Sequence, residues 1–182
     1  QAALSEPLAI GVYAVRQSVS MKGMKVGILG AGPIGLSVLL PARSWGASKI
    51  YMTDKIDQRS AFARTMGADW AGNPDTENVV KSIQAMEPEH LDVVFECCGD
   101  QAALDQALEL LKPGGKLMIV GIPRVNRVSF SIDKLRHREI CIQNVRRQNE
   151  CVQHTLDIMA NREIDADPMV THRFAFERTA DA

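Results

Sequence analysis

One stretch restricts the possible folds more than any other. An apolar run, Lys25 to Leu29, ends at Gly30-Ala31-Gly32-Pro33-Ile34-Gly35, which spells G-x-G-x-x-G. An amphipathic run to Gly46 follows. A second apolar run, "KIYMTD", then ends on Asp54, 19 residues beyond Gly35. In a strand–turn–helix unit each glycine meets a separate steric demand. Gly30 permits the tight turn, Gly32 lets backbone approach a pyrophosphate, and Gly35 lets the helix pack close on the strand. The helix N-terminus offers free N–H groups and a positive dipole end to an anion. Pro33 fits an early helical position, where its missing N–H costs little. Asp54 is placed to hold the hydroxyls of an adenosine ribose. Its charge disfavours a 2′-phosphate, so NAD is expected ahead of NADP. Of the two cations that follow, Arg59 is expected along the adenosine and Lys55 on the solvated surface.

The rest of the chain alternates in the same way. Apolar runs at "LDVVFECCG", "KLMIVG" and "EICIQNV", with a short one at "DWAG", read as further strands. Between them lie helical patterns at "DQRSAFARTMG", "TENVVKSIQAM", "QAALDQALELLKPGG" and "NECVQHTLDIMANR". Ser5 is a candidate cap for an earlier helix, with Glu6 and Pro7 in its first turn. The strands are near-continuous apolar runs, which suits a parallel sheet covered on both faces. The expected fold is therefore α/β: a doubly wound, parallel, six-stranded sheet (Rossmann fold) with helices on both faces. Pro41 falls inside the first helix after the glycines. A proline there costs about 3 kcal/mol and predicts a kink or a broken turn.

Lys and Arg total 21 against 22 Asp and Glu, so no charge excess points to a nucleic acid or a membrane surface. No apolar run is long enough to cross a bilayer. The N-terminal "QAALSEPLAIGVYAV" lacks the basic lead of a signal peptide. Cys97, Cys98, Cys141 and Cys151 form neither a C-x-x-C pair nor a zinc-like set. Reduced thiols and a cytoplasmic setting are expected. Cys97 and Cys98 read as loop and core thiols, and the basic clusters "RVNRVSF" and "KLRHREI" as solvated surface.

Several pieces together carry a resemblance: "EPLAIGVYAV", "GAGPIGL", "TD" with Arg59, "MGAD", "FECCG", "LLKPGGKLMIVGIP" and "VTHRF". In this order, they resemble the cofactor domain of zinc-dependent, medium-chain alcohol dehydrogenases, within them the sorbitol (polyol) and threonine dehydrogenase branch. The resemblance implies reversible oxidation of an alcohol to a carbonyl, with hydride passing to NAD and zinc polarising the alcohol oxygen. It implies a domain over 23–174, a lead-in helix over 1–22 and a return segment over 175–182. Gly30, Gly32, Pro33, Ile34, Gly35, Asp54 and Arg59 would hold the cofactor. Cys97 and Gly99, with Cys98 between them, would pass its adenosine half. Val120, Gly121 and Ile122 would reach the nicotinamide. Arg147 would lie near nicotinamide and substrate, and Glu6 beside the catalytic zinc. The remaining zinc ligands match nothing here, so no metal site is complete and the chain alone is expected to bind cofactor without catalysis. Gln148 stands where polyol enzymes carry Tyr. A small alcohol or polyol, the zinc-bearing catalytic domain and a second copy paired through "EICIQNV" are the implied partners. Two other readings stay open: an S-adenosylmethionine-dependent methyltransferase, and a non-catalytic NAD-sensing domain.

Overall fold

A computed structural model describes residues 2–181. Six strands form one sheet: β1 (Lys25–Leu29), β2 (Lys49–Thr53), β3 (Trp70–Gly72), β4 (Leu91–Glu96), β5 (Leu111–Ile119) and β6 (Cys141–Asn144). Every pairing is parallel, in the order β3-β2-β1-β4-β5-β6. This is the doubly wound order expected from the alternation. The order reverses between β1 and β4, so their C-terminal ends flank the crevice where such sheets take ligands.

The helices are α1 (Ser5–Gln17), α2 (Pro33–Ser44), α3 (Asp57–Thr65), α4 (Val79–Met86), α5 (Gln101–Leu110), α6 (Ile132–Arg138) and α7 (Val152–Ala160). They cover both faces. On one face Val26, Ile28, Ile50, Met52, Val93 and Phe95 pack with α1 and α2 residues such as Val15 and Val38. On the other, Leu29, Tyr51, Val94 and Leu117 pack with Ile83 of α4 and Leu104 and Leu108 of α5. Alternate residues of each strand thus meet apolar layers on opposite sides, which is why the strands carry unbroken apolar runs. A third cluster joins Leu8 and Val12 of α1 to Leu40 of α2 and Ile158 of α7.

Three expectations need correction. Ser5 is the first residue of α1, not its cap, because a 3-10 turn over Ala2–Leu4 leads directly into the helix. Pro41 does not break α2, which runs continuously from Pro33 to Ser44. Its missing N–H leaves the Ser37 carbonyl four residues earlier without its usual donor. That carbonyl faces Gly11 of α1, where a Cβ would stand only 1.9 Å from the oxygen. The close α1–α2 crossing fills the gap that the proline leaves in the ladder. Pro113-Gly114-Gly115 does not separate helix from strand. β5 already begins at Leu111, opposite Leu91, and residues 112–115 form an irregularity in the register before pairing resumes at Val93–Lys116. The cluster around "KLRHREI" lies at the surface as expected, and it includes α6, capped where Ser131 Oγ accepts from the Lys134 N–H at 3.5 Å. Residues 1 and 182 of the expected flanking segments lie outside the described residues.

Candidate functional site

The glycine turn sits at the switch point as the spacing demands. Gly30 has φ +108°, and a Cβ there would come within 3.2–3.3 Å of Cys97 and Cys98 backbone at the end of β4. Gly35 packs even closer, since a Cβ would stand 1.8 Å from the Gly30 carbonyl oxygen. These two glycines are required by the protein's own packing. Gly32 is different. Its φ is −76°, ordinary for any residue, and a Cβ there would meet only Arg59 Nη1, at 3.8 Å. Pro33 then opens α2, with Ile34 half-buried behind it. The first N–H groups of α2 therefore face outward beside a bare backbone.

Asp54 ends β2 and is tied to this turn. Its Oδ2 accepts from the Ala31 N–H at 2.9 Å, and its Oδ1 from the Ile56 N–H at 2.9 Å. Arg59 Nη1 lies 3.9 Å from Oδ2. Each carboxylate oxygen keeps a lone pair for a hydroxyl. Asp54 and Arg59 line a cavity of about 670 Å3 with Gly30, Cys98, Gly99 and Arg124. Lys55 also borders it; its side chain is exposed, as expected, and pairs with Asp100 at 3.2 Å. Asp100 in turn caps α5 by accepting from the Ala102 N–H at 3.0 Å. A second cavity of about 660 Å3, around Leu156, Met159 and Ile164, carries none of the motif residues.

The β4 and β5 exits meet beside the turn. A Cβ on Gly99, where φ is +70°, would stand 2.4 Å from the Ile122 carbonyl oxygen. One on Gly121 would stand 2.4 Å from the Gly99 nitrogen. The structure thus brings Gly99, Val120, Gly121 and Ile122 together, with Val120 buried and Ile122 89% exposed. Cys97 packs against the core beneath Gly30, whereas Cys98 faces the cavity. Burial and a hydrogen bond to Glu96 push the Cys98 thiol up to about 12, and burial pushes Cys97 up as well. Neither is a poised nucleophile.

Glu6 and Arg147 do not line this cavity. Glu6 is exposed in the first turn of α1. Arg147 is exposed just beyond β6, with φ +53°, at the same end of the sheet as the glycine turn. Among the described residues no group of three or more His, Cys, Asp or Glu side chains could hold a metal ion. Sequence reasoning passed over Asp100, Arg124 and Glu96. Their placement depends on pairings across the sheet, and only the "FECCG" stretch hinted at Glu96.

A parallel sheet in this order with a glycine turn and an acid at its switch point defines a dinucleotide-binding type of fold. A family model described as zinc-binding dehydrogenase matches residues 33–161, and the chain belongs to that family. It is 31% identical to a sorbitol dehydrogenase of Bacillus subtilis over 183 residues, covering all of this chain and 52% of that protein. It is 32% identical to an L-idonate 5-dehydrogenase of Vitis vinifera, covering 98% and 50% of the two chains. A zinc-binding dehydrogenase of Sinorhizobium meliloti, with a crystal structure bound to NADP, superposes with a TM-score of 0.91 at 28% identity. That match covers 98% of this chain and 54% of the other. The chain spans about half the length of the curated relatives it matches.

Proposed function

We propose that this chain is the cofactor-binding part of a zinc-type dehydrogenase. The whole protein would oxidise an alcohol reversibly to a carbonyl and pass hydride to NAD. The alcohol is a polyol, a secondary alcohol or a threonine-like compound. Gly32 carries the reading. Neither its backbone angles nor its neighbours require a glycine, yet its bare Cα faces outward at the N-terminus of α2. A pyrophosphate approaching the first N–H groups of α2 supplies the missing reason.

The residues present fit a nicotinamide dinucleotide. Asp54 would accept from the adenosine ribose hydroxyls with its remaining lone pairs, and Arg59 would flank the adenosine. Gly30, Gly32, Pro33, Ile34 and Gly35 would hold the pyrophosphate. Cys97 and Gly99 would border the adenosine half, and Val120, Gly121 and Ile122 the nicotinamide. When bound, the nicotinamide supplies the hydride acceptor. A carboxylate at Asp54 supports NAD over NADP.

The described residues do not fit a zinc site, because Glu6 stands without companion ligands. No chemical step is therefore assigned to zinc within this chain. Glu6 would lie beside a zinc held elsewhere in the whole protein, and Arg147 near the substrate. The chain by itself is expected to bind cofactor without turnover. Residues 23–174 form the cofactor domain in this reading, 1–22 lead into it and 175–182 lead away. No helix among the described residues is long and apolar enough to cross a membrane, and the reading places the protein in the cytoplasm. The free edge of β6 suits a homo-oligomeric contact.

Calorimetric titration with NAD, NADP and S-adenosylmethionine in parallel tests the reading. It predicts saturable NAD binding, weaker NADP binding, and loss of the NAD binding in Asp54→Ala. Binding of S-adenosylmethionine alone would replace the dehydrogenase reading with a methyltransferase one.

A further inference from the structure

Glu96 ends β4 at the point where the strand order reverses, and it is fully buried. Its Oε1 accepts from the Cys98 N–H at 2.8 Å, the Gly99 N–H at 2.6 Å and the Cys98 thiol at 3.1 Å. Its backbone carbonyl accepts from the Val120 and Gly121 N–H groups at 2.9 and 2.8 Å. One residue therefore ties the 97–99 turn to the segment that leaves β5. The other carboxyl oxygen, Oε2, is buried with no hydrogen-bond partner among the described residues. A Cβ on Gly121 would stand 2.7 Å from it.

A buried carboxyl oxygen without a donor is costly, and native structures keep few of them. Holding the 97–99 turn requires only the acceptor at Oε1, so the turn does not account for Oε2. What Oε2 does control is its neighbour. It occupies the space that a side chain at position 121 would need. The β5 exit is thereby kept as bare backbone, packed directly on Gly99.

We propose that Glu96 is a positioning residue of the cofactor cleft. It sets the 97–99 turn against Val120–Ile122 and keeps that junction bare. The junction lies across β1 from Asp54 and joins the 97–99 turn, at the adenosine half in this reading, to Val120–Ile122 at the nicotinamide half. This inference rests on the dinucleotide reading of the cleft.

The test compares NADH and AMP binding to the full chain and to Glu96→Ala and Glu96→Gln, with thermal melting of each. AMP reports the adenosine half alone, whereas NADH also reports the nicotinamide half that Val120–Ile122 would border. Glu96→Ala is expected to weaken NADH by about tenfold or more and AMP by less than about threefold. Glu96→Gln keeps an oxygen acceptor for the turn and is expected to bind NADH within about threefold of the parent. Should Glu96→Ala fail to melt cooperatively, Glu96→Asp, which draws the carboxyl back by one methylene, replaces it under the same criteria. Equal losses for both ligands would make Glu96 a general structural residue and overturn the proposal. So would unchanged NADH binding in the Ala variant, or a Gln variant as weak as the Ala variant. If the parent binds neither ligand, the reading of the cleft fails first and this inference falls with it.

Discussion

Gly11 of α1 lies against the Ser37 carbonyl of α2 so closely that a Cβ on Gly11 would stand 1.9 Å from the oxygen and 2.2 Å from the carbon. Backbone occupies that space, so no side-chain rotation can relieve the clash. Gly11→Ala must push the two helices apart, and both carry the buried residues of the α1–α2–α7 cluster. We expect a loss of about 1–3 kcal/mol, measured by urea unfolding, with the secondary structure retained.

Glu87 anchors the opposite end of the sheet. Its carboxylate accepts from the Tyr51 hydroxyl at 2.5 Å and pairs with Lys25 Nζ at 2.5 Å. Burial works to raise its pKa, but the hydrogen bonds from Lys25 and Tyr51 prevail and hold it below its ordinary 4.5. A depressed carboxylate contributes stability above its unfolded value, and loses it as pH falls through the folded value. Glu87→Gln should therefore cost about 1.5–3 kcal/mol near neutral pH, with the gap to the parent closing well below pH 4.5. Urea unfolding of both proteins across that range checks the sign, and a gap independent of pH would refute it.

Cys98 faces the cavity, yet its thiol is held protonated by burial and by donation to Glu96. The thiolate is the reactive form. At pH 8, iodoacetamide should label Cys98 about a hundredfold or more slowly than a small-molecule thiol. Peptide mass spectrometry against time reads this directly.

Much of the fold was legible because it depends on local pattern. Near-continuous apolar runs such as "LDVVF" suit a sheet covered on both faces, and Gly30 to Gly35 marks the switch point by steric demand. What stayed hidden depends on contacts between distant residues. α6 buries none of its side chains, so no apolar period betrays it. The Pro113–Gly115 stretch reads as a stop because Pro and Gly break regular pairing, but β5 carries it as a bulge opposite β4. Pro41 is tolerated through Gly11, thirty positions away and on another helix. Lys55 is solvent-facing as its sequence suggests, but its pairing with Asp100, 45 positions on, is not legible there. At the site, the glycines and Asp54 could be read by spacing. The role of Glu96 could not, because a carboxyl inside an apolar strand gives no sign of which loops it joins.

The central claim is that Gly32, unlike Gly30 and Gly35, is bare for a ligand and not for the fold. Gly35→Ala would drive a Cβ to 1.8 Å from the Gly30 carbonyl oxygen and should destabilise the protein. Gly32 has ordinary backbone angles and open space around the missing Cβ. The decisive measurement is calorimetric titration of NAD into the parent and Gly32→Val, with a thermal melt of each. The account predicts nearly equal melting temperatures and loss of NAD binding in the variant. A Gly32→Val protein that melts like the parent and binds NAD just as tightly would contradict it.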